Sequence, residues 1–260
     1  MNPFEAAPEF VGWDNRQSRP HSPVSVQQML HKHEVLFPAS LVRDKTVLDI
    51  GSALGATGHW CLSMGARAYT GLETQETYAE RSRELMQKYH PGKSTIIRKP
   101  IETYFSEDTE VFDIVSLLGV LYVFVDYYSI LKDVCARARE TIVIESLYPF
   151  GSYFRKGFTG VQFLEQDINL AGENSSLQGR GTRISPAGLQ FIMRDFGFES
   201  KEGQLYPKPI TESLDVYNSM KVIGPRFLLR FTRTGAPEKN LSQDLSGEQT
   251  GTKKPWSEYL

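Results

Sequence analysis

The chain has 260 residues and a formal charge of −2, with 40% apolar and 23% charged residues; it can build a sizeable core, and wholesale disorder is excluded. That balance also excludes an overall basic nucleic-acid-binding surface, and two cysteines, Cys61 and Cys135, are too few for a disulfide framework or a multi-cysteine metal site. Met1-Asn2-Pro3-Phe4-Glu5 lacks the basic, then apolar, pattern of a signal peptide, and the longest apolar run, Ile114 to Val125, falls short of the roughly 20 residues of a membrane span, so the expectation is a cytoplasmic protein with two reduced thiols.

Residues 1–23 are rich in Pro, Asn, Arg and Ser and read as an arm, with Phe10 and Trp13 apolar enough to dock on the core. Over 24–37, Val26, Leu30, His33 and Phe37 recur at helical spacing, with Ser25 as the expected cap and Pro38 as the stop. His31 and His33 are two apart on this helix and face different ways, so no metal site is expected there. From residue 45 strands and helices alternate. Strands are expected at 46–50, 68–73, 94–98, 112–118 and 141–146, and helices at 57–64, 75–89 and 126–138. Residues 147–183 are aromatic, Gly-rich and irregular. A helix capped by Ser185 with Pro186 in its first turn follows, then strands near 198–206 and 226–232. This rhythm implies an α/β sandwich with a mostly parallel sheet. The expected organisation is an arm and helix over 1–38, one domain over 39–234 with an insertion at 147–183, and a polar, flexible tail over 235–260.

The segment that carries chemistry is Val47-Leu48-Asp49-Ile50-Gly51-Ser52-Ala53-Leu54-Gly55, a strand running into a helix. Small residues at 51, 53 and 55 admit a ligand close to the backbone, and the helix start offers free N–H groups. Glu73 closes the next strand about 20 residues on, where a carboxylate can accept from both hydroxyls of a ribose. A dinucleotide-binding fingerprint fits poorly, because its third glycine would fall on Ala56.

The run resembles the first motif of class I S-adenosylmethionine-dependent methyltransferases, an acidic residue followed by G-x-G-x-G, with Ala53 replacing the middle glycine. Tyr69-Thr70-Gly71-Leu72-Glu73, Phe112-Asp113-Ile114-Val115, Gly119-Val120-Leu121-Tyr122 and Arg194-Asp195-Phe196-Gly197-Phe198 resemble later segments of that family in order and spacing. The resemblance implies a Rossmann-like three-layer sandwich, a seven-stranded sheet with helices on both faces, and S-adenosylmethionine as cofactor. It implies that Gly51, Ser52, Ala53 and Gly55 cradle the methionine part, with Asp49 orienting the loop or the amino group. Glu73, with Thr74 beside it, would hold the ribose. Ile101 would offer its N–H near adenine, although Pro100 stands where many relatives carry an Asp. Leu118 would offer its carbonyl near the amino group.

Methyl transfer needs chiefly alignment, and a base only where the acceptor must lose a proton. The His that many relatives carry after the fourth strand is replaced here by Tyr122-Val123. Candidate catalytic groups are Glu145 at the end of the fifth strand, Tyr122, and His59 after the glycine loop, and no metal is expected. The insertion carries aromatic and cationic residues suited to an anionic acceptor: Tyr148, Tyr153, Arg155, Arg180 and Arg183. A small-molecule acceptor methylated on oxygen or nitrogen is favoured over nucleic acid, because Glu165, Asp167 and Glu173 dilute the positive charge. Gly119-Val120-Leu121-Tyr122 and Ile144-Glu145-Ser146 also resemble transfer-RNA wobble-uridine carboxymethyltransferases, so a nucleic-acid partner stays open. So does a non-catalytic subunit of the same fold. No membrane partner is expected, and the sequence leaves the oligomeric state open.

Overall fold

A computed structural model of the chain describes residues 2–11, 23–149, 159–165, 180–200 and 226–235. Seven strands form one sheet in the order β3-β2-β1-β4-β5-β9-β8. These are β1 (Thr46–Ile50), β2 (Ala68–Leu72), β3 (Ser94–Ile97), β4 (Phe112–Leu118), β5 (Ala138–Leu147), β8 (Phe198–Ser200) and β9 (Arg226–Arg233). Pairing is parallel from β3 through β5, and β9 runs antiparallel to both β5 and β8. The strand order reverses between β1 and β4, so a crevice opens at their carboxyl ends, where open α/β sheets bind ligands.

Alternation along the strands explains the two cores. Leu48 and Val115 face a cluster with Tyr104, Leu131, Val134 and Leu189, drawn from α6 (Ile101–Glu107), α7 (Tyr127–Arg137) and α8 (Pro186–Asp195). Val47 and Ile114 face a second cluster with Trp60 and Leu85, from α4 (Ala56–Ser63) and α5 (Glu76–Tyr89). Phe4, Phe10, Leu36 and Phe37 join that second cluster from the N-terminal side. The floor of the sheet is pinned by Asp113, whose Oδ2 accepts from the Thr46 N–H at 2.8 Å and its hydroxyl at 3.0 Å.

Several expectations shift. The arm is ordered over 2–11 as α1 (Pro3–Ala6) and a 3-10 turn at Pro8–Phe10, with Asn2 accepting from the Phe4 N–H at 3.0 Å. The next helix, α2 (Pro23–Leu36), starts two residues before Ser25, which therefore lies inside it rather than at its N-terminal boundary; Pro23 itself suits a first helical turn. A short α3 (Ala39–Val42) precedes β1. Helix α6 was not legible as periodicity, being only seven residues long. The insertion is not irregular throughout, since β6 (Val161–Glu165) and β7 (Arg180–Ile184) pair antiparallel as a separate ribbon. Strand β8 ends at Ser200; the expected continuation to 206, Trp13 and the tail from 236 lie outside the described residues. Ser185 does cap α8, accepting from the Gly188 N–H at 3.1 Å. Among the described residues no helix is long and apolar enough to cross a membrane, and no group of three His, Cys, Asp or Glu is placed to hold a metal.

Candidate functional site

The loop after β1 turns through three alternate residues in the left-handed region: Gly51 at φ 73°, Ala53 at φ 45° and Gly55 at φ 82°. The Gly51 and Ser52 N–H groups both donate to the Leu72 carbonyl at 2.9 Å, which clamps the loop onto the end of β2. A Cβ at Gly51 would lie 2.2 Å from Val120 Cγ1, and one at Gly55 2.6 Å from the flexible end of Met86, so a side chain at either position would be strained by its positive φ and, at Gly51, crowded against Val120 as well. Ala53 adopts the same conformation with a Cβ, at a cost of about 1 kcal/mol. Ala53→Gly is therefore expected to leave the fold intact and to raise unfolding stability by up to about 1 kcal/mol, as checked by denaturant titration.

Two acids sit under and beside this loop. Asp49, buried at the end of β1, accepts from Tyr69 Oη at 3.0 Å and from Ser116 Oγ at 2.6 Å. Burial nevertheless pushes its carboxyl up to about 6. Glu73 accepts from the Ala53 N–H through Oε2 and from the Gln75 N–H through Oε1, each at 2.8 Å. It thus fixes the crest of the glycine loop to the strand end one position away.

Two clefts meet at Gly51. One is lined by Ile50, Gly51, Glu73, Thr74, Pro100, Ile101, Val120 and Phe124, a mainly apolar slot that also carries Lys99 and Glu102. Ile101 is the first residue of α6, following Pro100. The other is lined by Phe10, Met29, Lys32, His33, Asp49, Ser52, Ala53 and Leu118. All nine residues assigned to the cofactor from the sequence border the loop or these clefts: Asp49, Gly51, Ser52, Ala53, Gly55, Glu73, Thr74, Ile101 and Leu118.

At the carboxyl end of β5, Glu145 is buried between two cations. Lys32 of α2 and Arg226 of β9 both donate to it, Arg226 at 2.7 Å. Burial alone would raise this carboxyl, but the two cations hold it down to about 2. Arg226 also donates to Tyr122 Oη at 3.3 Å and lies 5.5 Å from the centre of that ring. A carboxylate so held is a weak proton acceptor; its effect is to hold Lys32, which lines the second cleft, and Arg226 together at the end of β5. Arg183 on β7 is buried and donates to the Tyr148 carbonyl at 3.3 Å; burial lowers its guanidinium below the ordinary value, and the nearby Arg226 cation adds to that effect. Tyr148 packs edge-on against Phe227 at 5.1 Å between ring centres.

His59 is placed elsewhere. It lies on α4 with Nδ1 against His90 Nε2 at 2.8 Å and Nε2 against the Pro3 carbonyl at 3.0 Å, and it lines neither cleft. Tyr153 and Arg155 lie outside the described residues, as does the side chain of Arg180. Sequence reasoning missed Lys32, Met29 and His33 as residues of the second cleft, and Arg226 as the partner of Glu145 and Tyr122. The available signal was a charged residue at each edge of an apolar element, Arg226 opening the run Phe227-Leu228-Leu229 and Lys32 within α2.

No protein-family model matches the chain, and no curated protein matches it in sequence. Solved structures do match. A Listeria monocytogenes protein described as an S-adenosylmethionine-dependent methyltransferase aligns with a TM-score of 0.58 at 15% identity, covering 80% of this chain and 99% of its own. Magnesium protoporphyrin IX methyltransferase from Synechocystis PCC 6803, solved with bound S-adenosylhomocysteine, aligns with a TM-score of 0.54 at 13% identity, over 89% of this chain and 94% of its own. An S-adenosylmethionine-dependent methyltransferase from Mesorhizobium loti gives 0.54 at 14% identity, over 79% and 98%. With the order β3-β2-β1-β4-β5-β9-β8 and a glycine loop after β1, the chain has the Rossmann-like fold of the class I S-adenosylmethionine-dependent methyltransferases.

Proposed function

We propose that the chain is an S-adenosylmethionine-dependent methyltransferase acting on an oxygen or nitrogen of a small anionic acceptor. The observation that carries the reading is the pair of clefts joined at Gly51, with Glu73 in one and Asp49 in the other. Glu73 would accept from the ribose hydroxyls, the Ile101 N–H would face adenine, and Asp49 would meet the amino group beside the Leu118 carbonyl. The glycine loop fits this group, since a Cβ at Gly51 would fill the junction of the two clefts. When bound, the cofactor supplies an electrophilic methyl on a sulfonium, and the chain's task is to align an acceptor with it.

Lys32, Arg183 and Arg226 outnumber the two carboxylates near them, Glu145 and Asp49, which favours an acceptor bearing a carboxylate or phosphate. Tyr122 and Glu145 are read as positioning residues for Arg226 rather than as a base. Residues 147–183 are read as the acceptor lid, with Tyr148 and Arg183 at its described edges. The test is transfer of isotopic methyl from S-adenosylmethionine into a cell extract. Label in small acidic compounds retained on anion exchange is expected. Bound cofactor with no label in any fraction would point instead to a non-catalytic subunit.

One observation favours a second reading. Tyr122 and Glu145 come from the two segments that resemble wobble-uridine carboxymethyltransferases, and they meet on Arg226. A carboxymethyl group would present its carboxylate to the same cations. Label appearing in transfer RNA, with binding that weakens steeply as salt rises, would support this reading over the first.

A further inference from the structure

His33 and His59 are buried under residues 2–11, and the half-buried His90 meets His59 from behind; none of the three has a role in the proposed methyl transfer itself. A carbonyl can only accept, so His59 carries its proton on Nε2 toward Pro3, and its Nδ1 accepts from His90 Nε2. Phe10 stacks on the His59 ring at 4.3 Å between centres, and Phe4 sits edge-on to His33 at 5.2 Å. His33 donates from Nδ1 to the Met29 carbonyl at 2.8 Å and accepts at Nε2 from Thr57 Oγ1 at 3.3 Å. The N-terminal segment is thus seated on two neutral imidazoles, His33 and His59, with His90 donating to His59 from the other side. A proton added at His59 Nδ1 would face the N–H of His90.

The same segment closes the cofactor crevice, because Phe10 lines the cleft that holds Asp49 and Ala53, beside Met29, Lys32 and His33. We propose that residues 2–11 are a proton-operated clasp: when His59 and His90 take up protons, the segment lifts, Phe10 leaves the cleft wall and the cofactor dissociates faster. The last part rests on the cofactor reading given above.

The surrounding charges agree. Burial lowers all three histidines, His33 to about 3 and His90 to about 4, and Lys93 adds to the effect on His90. Lys32 pushes His33 down and Glu145 pulls the other way. Glu9 favours a charged His59, but it is tied to Lys88 and Tyr89. Once released, the rings return to an ordinary value near 6.5. Docking is therefore at full strength above about pH 6.5 and weakens below it, about tenfold per pH unit for each ring that takes up a proton, until the docked values are reached.

The test is amide hydrogen exchange of residues 2–11 in the cofactor-free full chain at about pH 7 and about pH 5.5, corrected for intrinsic rates, together with dissociation of labelled S-adenosylhomocysteine. Protection is expected to fall about tenfold or more at the lower pH, with dissociation speeding up in proportion. His59→Gln/His90→Gln keeps hydrogen-bonding groups that cannot titrate and is expected to flatten both responses. Phe10→Ala is expected to speed dissociation already at neutral pH. Unchanged protection in the wild type, an equal loss in the double variant, or opening without faster dissociation would each overturn the clasp. Opening with acid in a chain that binds no S-adenosylhomocysteine at neutral pH would overturn the cofactor reading and support the acid-operated opening.

Discussion

Glu73→Ala is expected to weaken S-adenosylmethionine binding by about 100-fold or more, as read by titration calorimetry. Hydrogen bonds to a charged acceptor contribute about 1.5–3 kcal/mol each, and two ribose hydroxyls would lose theirs. The variant also removes the acceptors for the Ala53 and Gln75 N–H groups, so the crest of the glycine loop loses its side-chain tie to the end of β2, while the Gly51 and Ser52 bonds to the Leu72 carbonyl remain. Ala53 is held at φ 45° by that tie, and a fall in unfolding stability of about 2 kcal/mol accompanies the affinity loss. Glu73→Gln keeps one acceptor oxygen and is expected to fall between the two, with about tenfold weaker binding and a smaller stability loss. A Glu73→Ala protein that binds as tightly as the wild type would show that the carboxylate serves the loop alone.

Arg226→Met is expected to destabilise the fold by about 3 kcal/mol, because a buried carboxylate loses one of its two cations. Lys32 remains and limits the damage. Adding Glu145→Gln to Arg226→Met removes the stranded charge and is expected to restore about half of the loss. The pH dependence carries a second signature. The Glu145 carboxyl is lowered to about 2 from an ordinary 4.5, so the stability it contributes is fully present above about pH 4.5 and is lost as pH falls toward about 2. Without Arg226 the folded-state value moves up toward the ordinary one, and the loss of stability on acidification becomes shallower. Denaturant unfolding at about pH 7 and about pH 3 measures both effects. Equal acid sensitivity in the variant and the wild type would place the source of the shift elsewhere.

The parts of this site that the sequence made legible are local ones. Asp49, the Gly51–Gly55 loop and Glu73 belong to one strand-loop-helix-strand unit, and backbone sterics leave few residues that can turn there. The cation pair on Glu145 was not legible, because Lys32 and Arg226 reach it from 113 and 81 residues away and only the folded sheet brings them together. His59 follows the glycine loop closely in sequence, yet its side chain meets Pro3, Phe10 and His90 under the N-terminal segment. Nearness along the chain was a poor guide because a helix turns successive side chains to different sides. The ordered arm was half legible: Phe10 was apolar enough to dock, but nothing in residues 1–23 showed that it would line the cleft beside Asp49 and Ala53. The ribbon of β6 and β7 escaped notice because its strands lie in a segment whose composition reads as loop.

The central claim, that the two clefts joined at Gly51 hold S-adenosylmethionine, is tested most directly by titration calorimetry of the wild-type chain with S-adenosylmethionine and S-adenosylhomocysteine. The account predicts saturable binding of both at one site per chain, with micromolar affinity. A folded wild-type protein that releases or absorbs no heat of binding with either compound, at several temperatures, would contradict it.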